Sequence, residues 1–358
     1  MYEYSHGGNA VFEEGKRDVI DLSANINPLG MPEGVREAIV SGIADCEYYP
    51  DSSSRMLRIK IAEYENVKPD NIFCGNGASD IIFRLPRALH AKRVMITAPS
   101  FADYERSARS FGSEVIIHWL SPSNDFTLDY NLIEAVRQAK PDLVFVCNPN
   151  NPTGRLAKAD LIGALLDCCR KIGAFVMVDE CFLDFSEQAG ECTSKIFLET
   201  YRNLVILKAF TKLFALPGIR LGYSLCADGD LTQSLYFHGA DWPVSNLAQA
   251  AGIAALVNAD YFVKKTVDYV TAHRGMLEKE LIRLGFRGFG SKANYLFIQN
   301  PYPIDLRAKL DQKGVRIRSC GNFPGLDASY YRIAVSTKEN NIVLLTAITE
   351  IVNTGEIR

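Results

Sequence analysis

Chemistry in this chain centres on a lysine. The stretch Leu204-Val-Ile-Leu-Lys-Ala-Phe-Thr-Lys212 begins as a continuous apolar run, the pattern of a strand buried on both faces. Thr211 stands directly before Lys212, Pro217-Gly218 makes a turn, and Arg220 follows. An ammonium in apolar surroundings is costly, so its pKa falls and the amine becomes a nucleophile. Such an amine suits a Schiff base with pyridoxal 5'-phosphate (PLP). Thr211 and Arg220 would then offer a hydroxyl and a charged donor to the cofactor's phosphate. A surface lysine at a strand end explains this stretch alone equally well, so the other motifs carry the decision.

Asp179-Glu180 ends another apolar run. A buried Asp179 could pair with the pyridine nitrogen of PLP, because a protonated ring is the better electron sink. A plain helix-capping aspartate is the competing explanation. In Asn148-Pro-Asn-Asn-Pro-Thr-Gly154 the prolines and glycine follow from turn chemistry, while Asn151 could donate to the cofactor's 3-oxygen. Gly75-Asn-Gly-Ala-Ser79 leads from a strand into a helix, where the N–H groups of Ala78 and Ser79 could hold phosphate. Phe101 could stack on a ring, or simply fill the core. Arg318 and Arg332 each sit among apolar residues, in Val315-Arg-Ile-Arg-Ser319 and Tyr330-Tyr-Arg-Ile-Ala-Val335. If buried, they call for an anionic partner, which a doubly anionic substrate would supply.

These residues need strands to carry them. Apolar runs at 72–74, 93–97, 114–118, 142–147, 174–179 and 204–207 alternate with helical patterns such as 80–90 and 161–171. That alternation predicts a mostly parallel α/β sheet, whose ligands bind at the carboxyl ends of the strands. The motifs above fall at those ends. Residues 1–30 read as an N-terminal arm rich in turn formers, 31–246 as a large cofactor-binding domain, and 247–358 as a small α+β domain. A helix over 32–43 with Pro32 in its first turn, and one long helix from about 246 to 284, are expected.

Composition narrows the partners. The 358 residues are 47% hydrophobic, enough for a large core, with a formal net charge of −3 and no basic run for nucleic acid. No apolar run is long enough to span a membrane, and no signal-peptide pattern opens the chain. Nine scattered cysteines without metal spacing read as reduced thiols in a cytoplasm, with no metal site expected.

In order, Asn-Gly-Ala-Ser, Pro-Asn-Asn-Pro-x-Gly, Asp-Glu and Thr-Lys-x₇-Arg resemble the fold type I PLP enzymes, the aspartate aminotransferase superfamily. His6-Gly-Gly-Asn9, Asp21-Leu-Ser-Ala-Asn-Ile-Asn-Pro-Leu-Gly30, Asp179-Glu-Cys-Phe-Leu-Asp-Phe185 and Arg318-Ser-Cys-Gly-Asn-Phe-Pro-Gly325 narrow the resemblance to threonine-phosphate decarboxylases of cobalamin biosynthesis. Histidinol-phosphate aminotransferases are similar too, but usually have tyrosine where this chain has Phe182, and lack the His6 arm. The resemblance implies that Lys212 is the Schiff-base lysine, Asp179 the pyridine-nitrogen partner and Asn151 the 3-oxygen partner. It implies that Ala78, Ser79, Thr211 and Arg220 bind the cofactor phosphate, joined by Tyr49 of a second subunit in a homodimer with shared sites. Phe101 would stack on the ring, and His6, Asn25, Arg318 and Arg332 would hold the phosphate and carboxylate of a small phosphorylated amino acid, with the division between them open. The implied activity is decarboxylation of L-threonine O-3-phosphate to (R)-1-aminopropan-2-yl phosphate. The alternative is transamination of histidinol phosphate with 2-oxoglutarate. Lys208-Ala209 replaces the family's frequent Arg-Ser, so one phosphate-binding hydroxyl is missing, and cofactor affinity should fall unless another group compensates.

Overall fold

The computed structural model describes residues 7–8 and 19–353. In chain order the strands are β1 (Ile20–Asp21), β2 (Ile72–Asn76), β3 (Arg93–Ala98), β4 (Glu114–Trp119), β5 (Leu143–Cys147), β6 (Phe175–Asp179), β7 (Leu204–Ala209), β8 (Leu221–Leu225), β9 (Arg287–Gly288), β10 (Tyr295–Gln299), β11 (Val315–Arg316), β12 (Arg318–Ser319) and β13 (Tyr330–Ala334). Seven of them form one sheet in the order β2-β8-β7-β6-β5-β3-β4. Every pairing is parallel except those of β8, which runs against both β2 and β7. This α/β sheet matches the expected class.

Strand alternation builds its two faces. Val144, Val146, Val176, Val178, Leu204 and Ile206 belong to one buried cluster. Their neighbours Leu143, Phe145, Met177, Val205 and Leu207 belong to another on the opposite face. Side chains at i and i+2 share a face, so a run that is apolar at every position needs helices on both sides. Leu161 and Leu165 of helix Ala159–Lys171 cover the first face, and Ile81 and Leu85 of helix Ala78–Ala88 the second.

A second sheet, β12-β13-β10-β9, has its own cluster around Leu296, Ile298, Ile333, Leu344 and Ile348. Helix Ala259–Arg283 serves both cores: Val270 packs into the first, Leu277 and Leu281 into the second. The helix expected over 246–284 is two helices, Asn246–Ala255 and Ala259–Arg283. Asn258, in the left-handed conformation (φ 57°), separates them. Nor does Pro32 enter the first turn of a helix. Gly34 at φ 79° precedes helix Val35–Gly42, leaving Pro32 in the approach. The segment 315–319 divides between two sheets. Val315–Arg316 pairs with β1, and Arg318–Ser319 with β13.

Candidate active site

The carboxyl ends of β3, β5, β6 and β7 open into a cavity of about 350 Å³, closed from the other side by residues of the second sheet. Lys212 stands on the short helix Phe210–Leu213 immediately after β7. The arm fixes this turn. Asn27 N–H donates to the Lys212 carbonyl (3.1 Å), and the Asn27 side-chain amide donates to the Leu213 carbonyl (2.7 Å) and Thr266 (2.9 Å). Burial, reinforced by the charge of Arg332, lowers the Lys212 ammonium from 10.5 to about 8. Its Nζ lies 6.0 Å from the centre of the Phe182 ring.

Asp179 ends β6. Its Oδ2 accepts from the Tyr104 hydroxyl (2.6 Å) and its Oδ1 from Cys181 N–H (2.9 Å). The three asparagines of Asn148-Pro-Asn-Asn divide their work. Asn148 ties Ala157 and Cys192, and Asn150 ties Pro99, Ser100 and Thr153, so both hold the loop. Asn151 lines the cavity, where its Oδ1 accepts from Arg332 Nη1 (2.5 Å) and leaves its amide N–H groups as donors.

An anion cup lies at the start of helix Ala78–Ala88. Gly77, at φ 79°, turns the chain into the helix, and a Cβ there would sit 2.7 Å from Arg220 Nη2. Gly222 meets the Ala78 nitrogen in the same way, at 2.5 Å from a would-be Cβ. These two contacts bring the guanidinium of Arg220 beside free helix N–H groups. Thr211 completes the rim. Ala209 also lines the cavity, but Lys208 points away from it into a buried cluster. There it meets Asp184 (3.1 Å), Glu65 (3.7 Å) and Glu180 (4.0 Å), so its charge does not replace the missing hydroxyl.

The opposite wall carries the arginines. Arg318 and Arg332 are directly paired across β12 and β13, on one face, and both are buried. Like charges at facing positions destabilise a sheet. Arg332 donates to the Asn151 side chain and the Ser23 carbonyl (2.8 Å), both neutral, and among the described residues its Nε has no partner. Arg318 donates to Asn322 Oδ1 (2.9 Å) and lies over the Phe323 ring. Burial lowers the pKa of both guanidinium groups below the ordinary arginine value. Asn25 lines the same space, fully buried, and its Oδ1 also has no partner among the described residues.

The structure therefore brings Ala78, Ser79, Phe101, Asn151, Asp179, Thr211, Lys212, Arg220, Asn25, Arg318 and Arg332 to one cavity. Tyr49 lies elsewhere. It is 80% exposed and stacked on Trp242, with ring centroids 4.4 Å apart. His6 lies outside the described residues, but Gly7 is in the cavity wall. A Cβ on Gly7 would fall 2.3 Å from the Ser23 carbonyl oxygen, so only glycine permits this approach. Sequence reasoning missed Tyr104, Asn322 and Phe323. Asn322 and Phe323 sit four and five residues past Arg318, a spacing that could have suggested them; nothing local marks Tyr104.

These groups fit PLP. They offer an amine of lowered pKa, a carboxylate in the same cavity, a cationic helix-start cup for phosphate, and two buried polar atoms without partners among the described residues. The chain belongs to the class I and II aminotransferase family, whose model matches residues 17–348. Enzymes of this family depend on PLP. Among similar proteins is the threonine-phosphate decarboxylase of Salmonella typhimurium, 32% identical, with 97% of this chain and 96% of that one covered. A histidinol-phosphate aminotransferase of Caldanaerobacter subterraneus is 31% identical, with 93% of each covered. Among solved structures, the histidinol-phosphate aminotransferase from Clostridium acetobutylicum superposes with a TM-score of 0.87 at 30% identity, covering 94% of this chain and 99% of that one. No helix among the described residues is long and apolar enough to cross a membrane.

Proposed function

We propose that this chain is a PLP-dependent carboxy-lyase that converts L-threonine O-3-phosphate to (R)-1-aminopropan-2-yl phosphate for cobalamin biosynthesis. The observation that carries the reading is the facing pair Arg318 and Arg332, buried in the same cavity as Lys212. Two fixed cations on one sheet face suit a small substrate with both a carboxylate and a phosphate. Relatives at about one-third identity include a threonine-phosphate decarboxylase, which supports the substrate class.

Bound PLP supplies an electron sink for the pair left on Cα when CO₂ departs. Lys212 Nζ anchors the cofactor and afterwards supplies the proton that takes the place of the carboxyl group. Asp179 would hold the ring nitrogen, Asn151 would donate to the 3-oxygen and Phe101 would cover the ring. Ala78, Ser79, Thr211 and Arg220 hold the cofactor phosphate. Asn25, Arg318, Arg332 and His6 would hold the substrate anions and so orient the bonds at Cα. Gly7 in the cavity wall supports the part given to His6. Exposure of Tyr49 beside Trp242 supports its reaching a second site in a homodimer. Nine free cysteines support a reducing cytoplasm.

The test is incubation with each substrate in turn. CO₂ release from threonine phosphate is expected, without glutamate from histidinol phosphate and 2-oxoglutarate. Glutamate without CO₂ rejects the decarboxylase. Faster release from serine phosphate keeps the chemistry and changes the substrate, a choice that one methyl group makes for about 1–3 kcal/mol.

A further inference from the structure

Tyr104 is a fully buried tyrosine with no part in the roles above. It sits in helix Ala102–Phe111, three residues after Phe101, yet its hydroxyl reaches across to Asp179 Oδ2 at 2.6 Å. Its ring is clamped: stacked on Phe145 with centroids 5.0 Å apart and an interplanar angle of 14°, and edge-on to Phe101 at 5.7 Å. A hydroxyl so placed has one use for its proton, because a short O–H···O⁻ bond to a carboxylate is far better than an unpaired buried O–H.

We propose that Tyr104 is a positioning residue: its hydroxyl holds Asp179 ionised and aimed at the ring nitrogen of PLP, and its ring sets the stacking angle of Phe101. This rests on the reading that Asp179 faces that nitrogen. Both Asp179 oxygens are already engaged, Oδ2 by Tyr104 and Oδ1 by the Cys181 N–H, so the carboxylate plane is fixed before any cofactor arrives. Among the described residues, the other titratable groups that interact with it are the Cys147 and Cys181 thiols, the Tyr295 hydroxyl and Asp103. Burial pushes both thiols well above their ordinary range, so they stay neutral; the Cys181 S–H is itself a donor to Asp179, weaker than the tyrosine O–H. Burial also pushes the Asp179 carboxyl above its ordinary 3.8, and the Cys181 and Tyr104 donors are what oppose that rise. Without the hydroxyl, Asp179 is left closer to neutral, and a neutral acid cannot stabilise a protonated pyridine. The tyrosine thus acts on the electron sink through the aspartate, without touching the substrate.

The experiment compares the full-length protein with Tyr104→Phe, which keeps the ring and removes only the oxygen. Both are loaded with PLP carrying ¹⁵N in the ring. The ¹⁵N shift should show a protonated nitrogen in the unsubstituted protein and a displacement toward the neutral pyridine in Tyr104→Phe. PLP affinity should fall about tenfold, as for loss of a hydrogen bond to a charged group. kcat should fall while KM for threonine phosphate holds. Loading with N-methyl PLP, whose ring charge is permanent, should erase the kcat difference. An unchanged ¹⁵N shift with unchanged PLP affinity overturns the role of Tyr104 and leaves the cofactor reading standing. Failure of borohydride to fix PLP on Lys212 in the unsubstituted protein overturns the reading itself, and the inference with it.

Discussion

At the scale of single residues, the site depends on ionisation states that burial sets. With its pKa lowered to about 8, Lys212 is neutral in roughly a tenth of molecules at pH 7. At its ordinary value it would be neutral in fewer than about one in a thousand. Because only the neutral amine attacks an aldehyde, capture of PLP by the cofactor-free protein should speed up as pH rises and level off above about 8. Stopped-flow absorbance measures this directly, and a flat profile from neutral pH to well above that value contradicts it. Lys212→Ala should bind PLP without being fixed by borohydride, and should not turn over. In the proposed reading the arginines are charged partners of a buried substrate. Arg318→Ala or Arg332→Ala removes a charged hydrogen bond worth about 2–5 kcal/mol, so kcat/KM for threonine phosphate should fall about 30-fold or more. Losses below about threefold would show that the facing pair is not the substrate clamp.

Secondary-structure elements convert these residues into a site, and here the sequence is legible in part. Motifs at the ends of apolar runs were readable because a parallel sheet places those ends together. β8 was not distinguished, because Leu221–Leu225 follows the Pro217-Gly218 turn and differs from its neighbours only in direction, which composition does not encode. The break at Asn258 was hidden because the apolar pattern continues through it without Pro or Gly. Tyr104 was invisible for another reason: its partner lies 75 residues away on β6. Lys208 shows a strand's alternation at work. Ala209 faces the cavity, while Lys208, one position earlier, faces Glu65, Asp184 and Glu180 beneath the sheet. Burial opposes the Lys208 charge, but Asp184, Glu65 and Glu180 outweigh it and raise its pKa well above 10.5. Lys208→Met would remove the cation these three carboxylates share, leaving Glu65 its second partner, Lys195 (3.0 Å). Removing one partner of a buried ion pair costs about 3–5 kcal/mol, so denaturant unfolding should show a loss of that size. A loss below about 1 kcal/mol would mean that the acids simply take up protons.

On the scale of the whole molecule, an apolar surface remains to be covered. Helix Val35–Gly42 packs against helix Asn246–Ala255, and the short helix Ile43–Glu47 follows it. Asn246 holds the next turn by donating to the Asp45 and Tyr48 carbonyls (2.6 and 2.9 Å). Yet Val40, Ile43, Tyr48 and Tyr49 on this unit are each at least 59% exposed, and Tyr49 stacks on the half-exposed Trp242. Large apolar side chains gathered on one rigid unit cost solvation energy unless a partner surface removes them from water. In the proposed homodimer this unit is that surface, and Tyr49 crosses it toward the second cavity. Ile43→Glu would place a carboxylate on each side of the interface, buried and unpaired, at a cost of several kcal/mol per dimer. The side chain is open to water in the monomer, so the fold itself should survive. Sedimentation should therefore show a monomer with an unchanged circular dichroism spectrum, and PLP retention and decarboxylation should fall together. A monomeric Ile43→Glu protein that still turns over at micromolar concentration would mean that each cavity is complete within one chain.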